Sequence, residues 1–133
     1  MNKKTAIFVC VENSCRSQMA EGLMNFLGKD IFEAYSAGSK PSGKINPLAI
    51  EVMKEIGISI SKNKTKSFND LPVEYFDYTI SLGCNDTCPF IAAKKHIEWN
   101  IPDPKNKSRD FFRKTRDLIK KKIQKLIDNQ GEL

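Results

Sequence analysis

Three features of this 133-residue sequence predict an α/β domain built on a parallel sheet. Apolar runs of strand length alternate with segments of helical periodicity, the pattern of strands joined by helical crossovers. The first run, TAIFVC at 5–10, is apolar almost throughout, as a parallel strand covered on both faces must be. Gly28 and Gly57 stand just past the ends of two helical segments, and Pro47 stands in the first turn of one. The length suits one domain, residues 1–133, with an ordinary core.

Each element has its own signal. From Cys15 to Leu27, Met19, Leu23, Phe26 and Leu27 recur on one stripe and Gly28 stops the helix. A second strand is expected at 33–37, followed by a Gly/Ser/Pro loop. Pro47 opens a helix with Gly57 after its end and proline in the first turn, where its missing N–H costs nothing. Residues 76–82 read as a third strand and 96–101 as a short fourth. A long helix from about Lys107 to Asp128 closes the chain.

The composition, 40% hydrophobic and 29% charged, is that of a globular protein. No apolar run approaches the roughly 20 residues that span a membrane. The six-residue apolar run of MNKKTAIFVCV is too short for a signal peptide, so a cytoplasmic protein is expected. The net charge of +6 owes much to Lys120, Lys121, Lys122 and Lys125. These interleave with Phe111, Phe112, Leu118, Ile119, Ile123, Leu126 and Ile127 at helical spacing, which describes an amphipathic helix with solvated lysines. No nucleic-acid motif accompanies them. Neither nucleic acid nor membrane is expected as a partner; attraction of small oxyanions is the better use of the charge.

The segment CVENSCRS at 10–17 carries the chemistry. Cys10 ends a strand and the loop through Cys15 enters a helix, which is where open α/β sheets bind ligands. Amides of Val11, Glu12, Asn13, Ser14, Cys15, Arg16 and Ser17 can curl around one tetrahedral anion at the positive end of that helix. A Cys10 thiolate is stabilised by the same donors and becomes nucleophilic. Arg16 adds a planar bidentate donor that lysine would not reproduce. A bare Cys-x5-Arg pattern occurs by chance; its position at a strand-to-helix turn is what makes it specific.

The stretch CVENSCRSQMAEG, with YSAGS at 35–39, INPLAIEVMKEIGI at 45–58, GCNDTCP and WNIPDP at 99–104, resembles the thioredoxin-coupled arsenate reductases. These share the low-molecular-weight protein tyrosine phosphatase fold. The resemblance implies a three-layer structure, a four-stranded parallel sheet flanked by helices. It also implies that Asp103, in the later Asp-Pro loop, is the general acid that protonates the leaving oxygen. Gln18 stands where the phosphatases usually have proline, and Lys105 where they have an aromatic residue. Both differences favour the reductase side.

Phosphate ester hydrolysis needs one cysteine, whereas reducing arsenate to arsenite needs two electrons from thiols. The resemblance therefore implies a relay in which Cys10 attacks arsenate, Cys84 attacks Cys10, and Cys88 attacks Cys84. A thioredoxin-like protein or a low-molecular-weight thiol then reduces the Cys84–Cys88 bridge. On a regular helix, residues four apart hold their Cβ atoms about 5–6 Å apart, beyond the roughly 3.5–4.5 Å of a disulfide. Gly83 and Pro89 fit a deformable loop instead. Other readings stay open at this point. Cys84 and Cys88 with Cys10 or Cys15 are a conceivable zinc set, though no metal is the expectation. A phosphatase acting on phosphotyrosine or aryl phosphates is the alternative enzyme, and an anion sensor a third. The Cys15 thiol reads as a packing residue at the helix start or as a protective disulfide partner of Cys10; packing is the expectation, because the electron count needs no fourth thiol. In some reductases the positions of Asn13, Glu21 and Ser36 help hold potassium. Here the further acidic contributor falls in KNKTKSF, and Glu21 reads as well as a surface carboxylate. No other cofactor is expected.

Overall fold

The computed structural model describes residues 3–72, 74–83 and 91–129. The expected apolar strand, β1 (Lys4–Cys10), is buried from Ala6 onward because it lies inside the sheet. The strand order is β2-β1-β3-β4, and every pairing is parallel. β2 (Phe32–Gly38) matches β1 from Lys4↔Phe32 to Cys10↔Gly38. β3 (Phe76–Ser81) flanks it on the other side, with Ser81 level with Val9. The register thus delivers the carboxyl ends of three strands to one edge, where Cys10 sits between Gly38 and the end of β3.

Alternation along β1 divides the interior in two. Ala6, Phe8 and Cys10 join the large core, which holds the buried faces of the three α-helices among the described residues. Ile7 and Val9 face a smaller cluster with Ala37, Phe76 and Ile91, covered by Phe68 and Leu71 around a short 3-10 turn at Phe68–Asp70. Among the described residues the α-helices therefore gather on one face. The crossover from β2 to β3 wraps the sheet edge to cover the other, and the Gly38 amide donates to the Lys66 carbonyl at 2.9 Å as it passes.

α1 (Arg16–Leu27) buries Met19, Ala20, Leu23 and Met24, whereas Phe26 is 55% exposed. Phe26 leaves the expected stripe because its neighbour Asn25 exchanges two hydrogen bonds with the Ala34 backbone, at 3.2 and 2.9 Å. With Asn25 turned to β2, the next residue, 100° further round, turns to solvent. α2 (Pro47–Glu55) begins as expected, with Pro47 in the first turn and Asn46 accepting from the Leu48 amide at 2.9 Å. α3 (Arg109–Asp128) starts at Ser108, whose hydroxyl accepts from the Phe111 amide. It buries Phe112, Ile119, Ile123 and Leu126 and leaves its lysines outside. Arg116 ties α3 to α2, donating to the Val52 carbonyl at 2.8 Å and to Glu55 at 2.9 Å. Glu55 accepts from Arg113 and Arg116 together, which draws its carboxyl down to about 2.

The fourth strand lies three residues earlier than expected. β4 is Ala93–Glu98, an edge strand whose residues 94, 96 and 98 are exposed and charged or polar. Trp99 and Ile101 are apolar for another reason. They belong to the chain leaving the sheet, with the Trp99 amide on the Ser81 carbonyl at 2.8 Å and its ring 6.0 Å from Phe8. Both are buried, and Pro102 ends any further pairing.

Candidate active site

Between β1 and α1 the loop's carbonyls point away from its centre. Val11, Glu12 and Ser14 carbonyls accept from the amides of Lys40, Ser42 and Asn46 at 2.8, 3.1 and 3.0 Å, and Cys15 from Met19 inside the helix. In a trans peptide the N–H opposes the C=O, so the amides of Glu12, Asn13, Cys15 and Arg16 are turned the other way, toward the loop's concave side. No side chain caps α1. Its first amides and the positive end of its dipole are thus offered to a ligand oxyanion.

Asn13 holds the curl. It adopts a left-handed φ of 54°, which asparagine tolerates better than most residues, and it is fully buried. Its amide group donates to Ser17 Oγ at 2.8 Å, while its oxygen accepts from Gln18 Nε2 at 2.9 Å and the Lys66 amide at 2.8 Å. Ser17 Oγ lies 2.8 Å from Cys10 Sγ. Because that oxygen accepts from Asn13, its own hydrogen can be aimed at the sulfur, where it stabilises a thiolate.

Two glycines let the neighbouring strands come this close. A Cβ on Gly38 would stand 2.4 Å from the Val11 oxygen and 2.9 Å from the Asn13 nitrogen. Gly83, at φ 119°, leaves room for Arg16, whose NH1 a Cβ would meet at 2.5 Å. Arg16 NH1 donates to the carbonyls of Leu82 at 2.7 Å and Ile101 at 3.0 Å. The ends of β3 and of the segment after β4 therefore aim the guanidinium, whose NH2 lies 3.6 Å from Asp103. Asp103 is half-exposed and accepts from the Lys105 amide at 3.1 Å.

Cys10, Val11, Glu12, Ser14, Cys15, Arg16, Asp103 and Lys105 line one cavity of about 210 Å³. The structure thus brings together the expected nucleophile, guanidinium and carboxylic acid. Asn13 and Ser17 support the loop from behind. Cys84 and Cys88 lie outside the described residues. The sequence reading missed the Lys105 ammonium, which reaches Glu12 Oε2 at 2.5 Å and joins the Asp-Pro loop to the oxyanion loop. It also missed the steric role of the two glycines: Gly38 entered only as part of YSAGS and Gly83 only as part of a deformable loop.

Cys15 packs in the main core, as expected. Burial pushes its thiol up to about 11, against a lowering from the Ser14 hydroxyl. It is therefore a neutral thiol where Cys10 is meant to react. A raised pKa means that the folded state binds the proton more tightly, so this stabilisation is complete below about 9 and fades as pH rises through about 11. Denaturant unfolding between those pH values is expected to show a shallower loss of stability in Cys15→Ala than in wild type. Equal slopes would show that Cys15 is not the titrating group.

A tetrahedral-anion loop with a cysteine at its base, at the carboxyl edge of a parallel sheet, defines a class of thiol-nucleophile enzymes acting on oxyanions. Residues 5–132 match the low molecular weight phosphotyrosine protein phosphatase family, and the chain belongs to that family. Arsenate reductase 2 of Staphylococcus saprophyticus is 40% identical over 133 residues, covering 97% of this chain and all of the relative. A solved arsenate reductase in the phosphate binding state superposes with a TM-score of 0.86 at 35% identity, over 95% of this chain and 98% of the other. The thioredoxin-dependent arsenate reductase Cg_ArsC1' of Corynebacterium glutamicum superposes with a TM-score of 0.79 at 28% identity, over 96% of this chain and 62% of that one.

Proposed function

We propose that this chain is an arsenate reductase that converts arsenate to arsenite through a three-thiol relay. The observation that carries the reading is Cys10, Arg16 and Asp103 around one cavity, in a chain matched end to end by an arsenate reductase. In the first step the Cys10 thiolate bonds to arsenic, and one oxygen departs as water after Asp103 supplies a proton. Cys84 then attacks Cys10 Sγ. The S–As bond breaks, its electron pair stays on arsenic to give arsenite, and a Cys10–Cys84 disulfide forms. Cys88 attacks Cys84, which frees Cys10. A dithiol donor reduces the Cys84–Cys88 bridge; a thioredoxin-like protein is the proposed donor, supported by the thioredoxin-dependent structural neighbour. A low-molecular-weight thiol is the other donor to test. Chemistry run on thiols fits a compartment that keeps them reduced, the cytoplasm.

The test combines turnover with disulfide mapping. Wild type with arsenate and a dithiol donor is expected to release arsenite, and an acid-quenched sample without donor to contain a Cys84–Cys88 bridge by mass spectrometry. Cys84→Ser is expected to form no arsenite while keeping hydrolysis of an aryl phosphate, which needs only Cys10, Arg16 and Asp103. Aryl phosphate hydrolysis by wild type without arsenite from any dithiol donor would replace the reductase with a phosphatase.

A further inference from the structure

The residues at the positions that help hold potassium in some reductases do not present an oxygen cage. Asn13 Oδ1 already accepts two N–H bonds, and the Ser36 hydroxyl donates to Glu21 Oε1 at 2.6 Å. A cation is nevertheless present, and it is a side chain. Lys66 Nζ lies 3.5 Å from the same Glu21 oxygen and donates to the Lys64 carbonyl at 3.1 Å. That carbonyl also accepts from Gln18 Nε2 at 3.0 Å, the group that bonds Asn13. The pair is largely shielded, with side-chain exposures of 26% for Lys66 and 15% for Glu21.

We propose that the Lys66 ammonium is a built-in substitute for a monovalent cation behind the oxyanion loop, so that this chain holds its loop without potassium. The physical need is plain. Glu21 is a mostly covered carboxylate on α1 whose other partner among the described residues is the neutral Ser36 hydroxyl, and such a group needs a countercharge. An ammonium on the adjoining segment supplies it within the molecule, with no loss of a free ion's translational freedom. The same residue's backbone amide bonds Asn13 and its carbonyl bonds Gly38. Lys66 is thus a positioning residue that joins α1, β2 and the loop, and its backbone share of that work survives truncation of the side chain.

Thermal unfolding in potassium, sodium and tetramethylammonium chloride at matched ionic strength tests this, and it does not depend on which oxyanion is turned over. Wild type is expected to melt at the same temperature in all three. Lys66→Ala, which uncovers Glu21 and the Lys64 carbonyl, is expected to melt about 3–6 °C lower in tetramethylammonium and to regain at least half of that in potassium. Lys66→Met fills the space without a charge and is expected to regain nothing. A merely structural role for the stem would not produce ion-specific rescue. Stabilisation of wild type by potassium over tetramethylammonium overturns the proposal. So does a Lys66→Ala protein with the same melting temperature in potassium and tetramethylammonium, or one that folds in neither.

Discussion

Arg16→Lys is expected to lower kcat/KM for the oxyanion substrate by about 10³-fold, the scale of losing a preorganised donor to developing negative charge. Arg16 spends NH1 on two backbone carbonyls and keeps the rest of its planar group for the cavity that it lines. A lysine ammonium is a single point of charge on a flexible stem. Bound to Leu82 and Ile101, it would have no second nitrogen for the substrate; bound to the substrate, it would leave two buried carbonyls unpaired, at about 1–3 kcal/mol each. Steady-state kinetics, with calorimetric binding of phosphate alongside, decides the matter. A loss below tenfold would show that the guanidinium is not a principal donor to the anion.

Gly38→Ala is expected to damage both stability and activity. Its φ asks for no glycine, so the effect comes from crowding alone. The new methyl would overlap a backbone oxygen and a backbone nitrogen, neither of which can rotate away as a side-chain tip can. Overpacking of this kind costs about 1–3 kcal/mol, which lowers Tm by roughly 3–10 °C in a chain of this size. The relief open to the structure is a shift of the loop at Val11–Asn13. A misplacement of about 1 Å at a catalytic centre is worth roughly 10²-fold in rate. Calorimetry and turnover on the same preparation should therefore fall together. A folded Gly38→Ala protein with wild-type kcat/KM would mean that the loop is not held by its contact with β2.

Much of this was legible in the linear chain. The uninterrupted apolar run before Cys10 announced a parallel strand, and the cysteine-to-arginine loop after it announced an anion site, because both are local in sequence. Asp103 was legible only by resemblance. Its neighbour Pro104 suggests a turn, and nothing local says that the turn faces Cys10. β4 was misplaced because Trp99 and Ile101 look like strand residues, although their burial comes from packing over the sheet's end. Phe26 was misassigned because periodicity does not know that Asn25 will be claimed by Ala34.

By itself, then, the sequence determined the alternation of elements, the amphipathic last helix and the chemical identity of the loop. Hydrophobic periodicity and cap residues act over a few neighbours and are written in order. Tertiary structure alone decided that Leu82 and Ile101 aim Arg16, that Gly38 and Gly83 must lack a Cβ, and that Lys66 lies against Glu21. Those facts depend on which segments the sheet register brings within a few ångströms. That proximity joins residues tens of positions apart, and no local pattern encodes it.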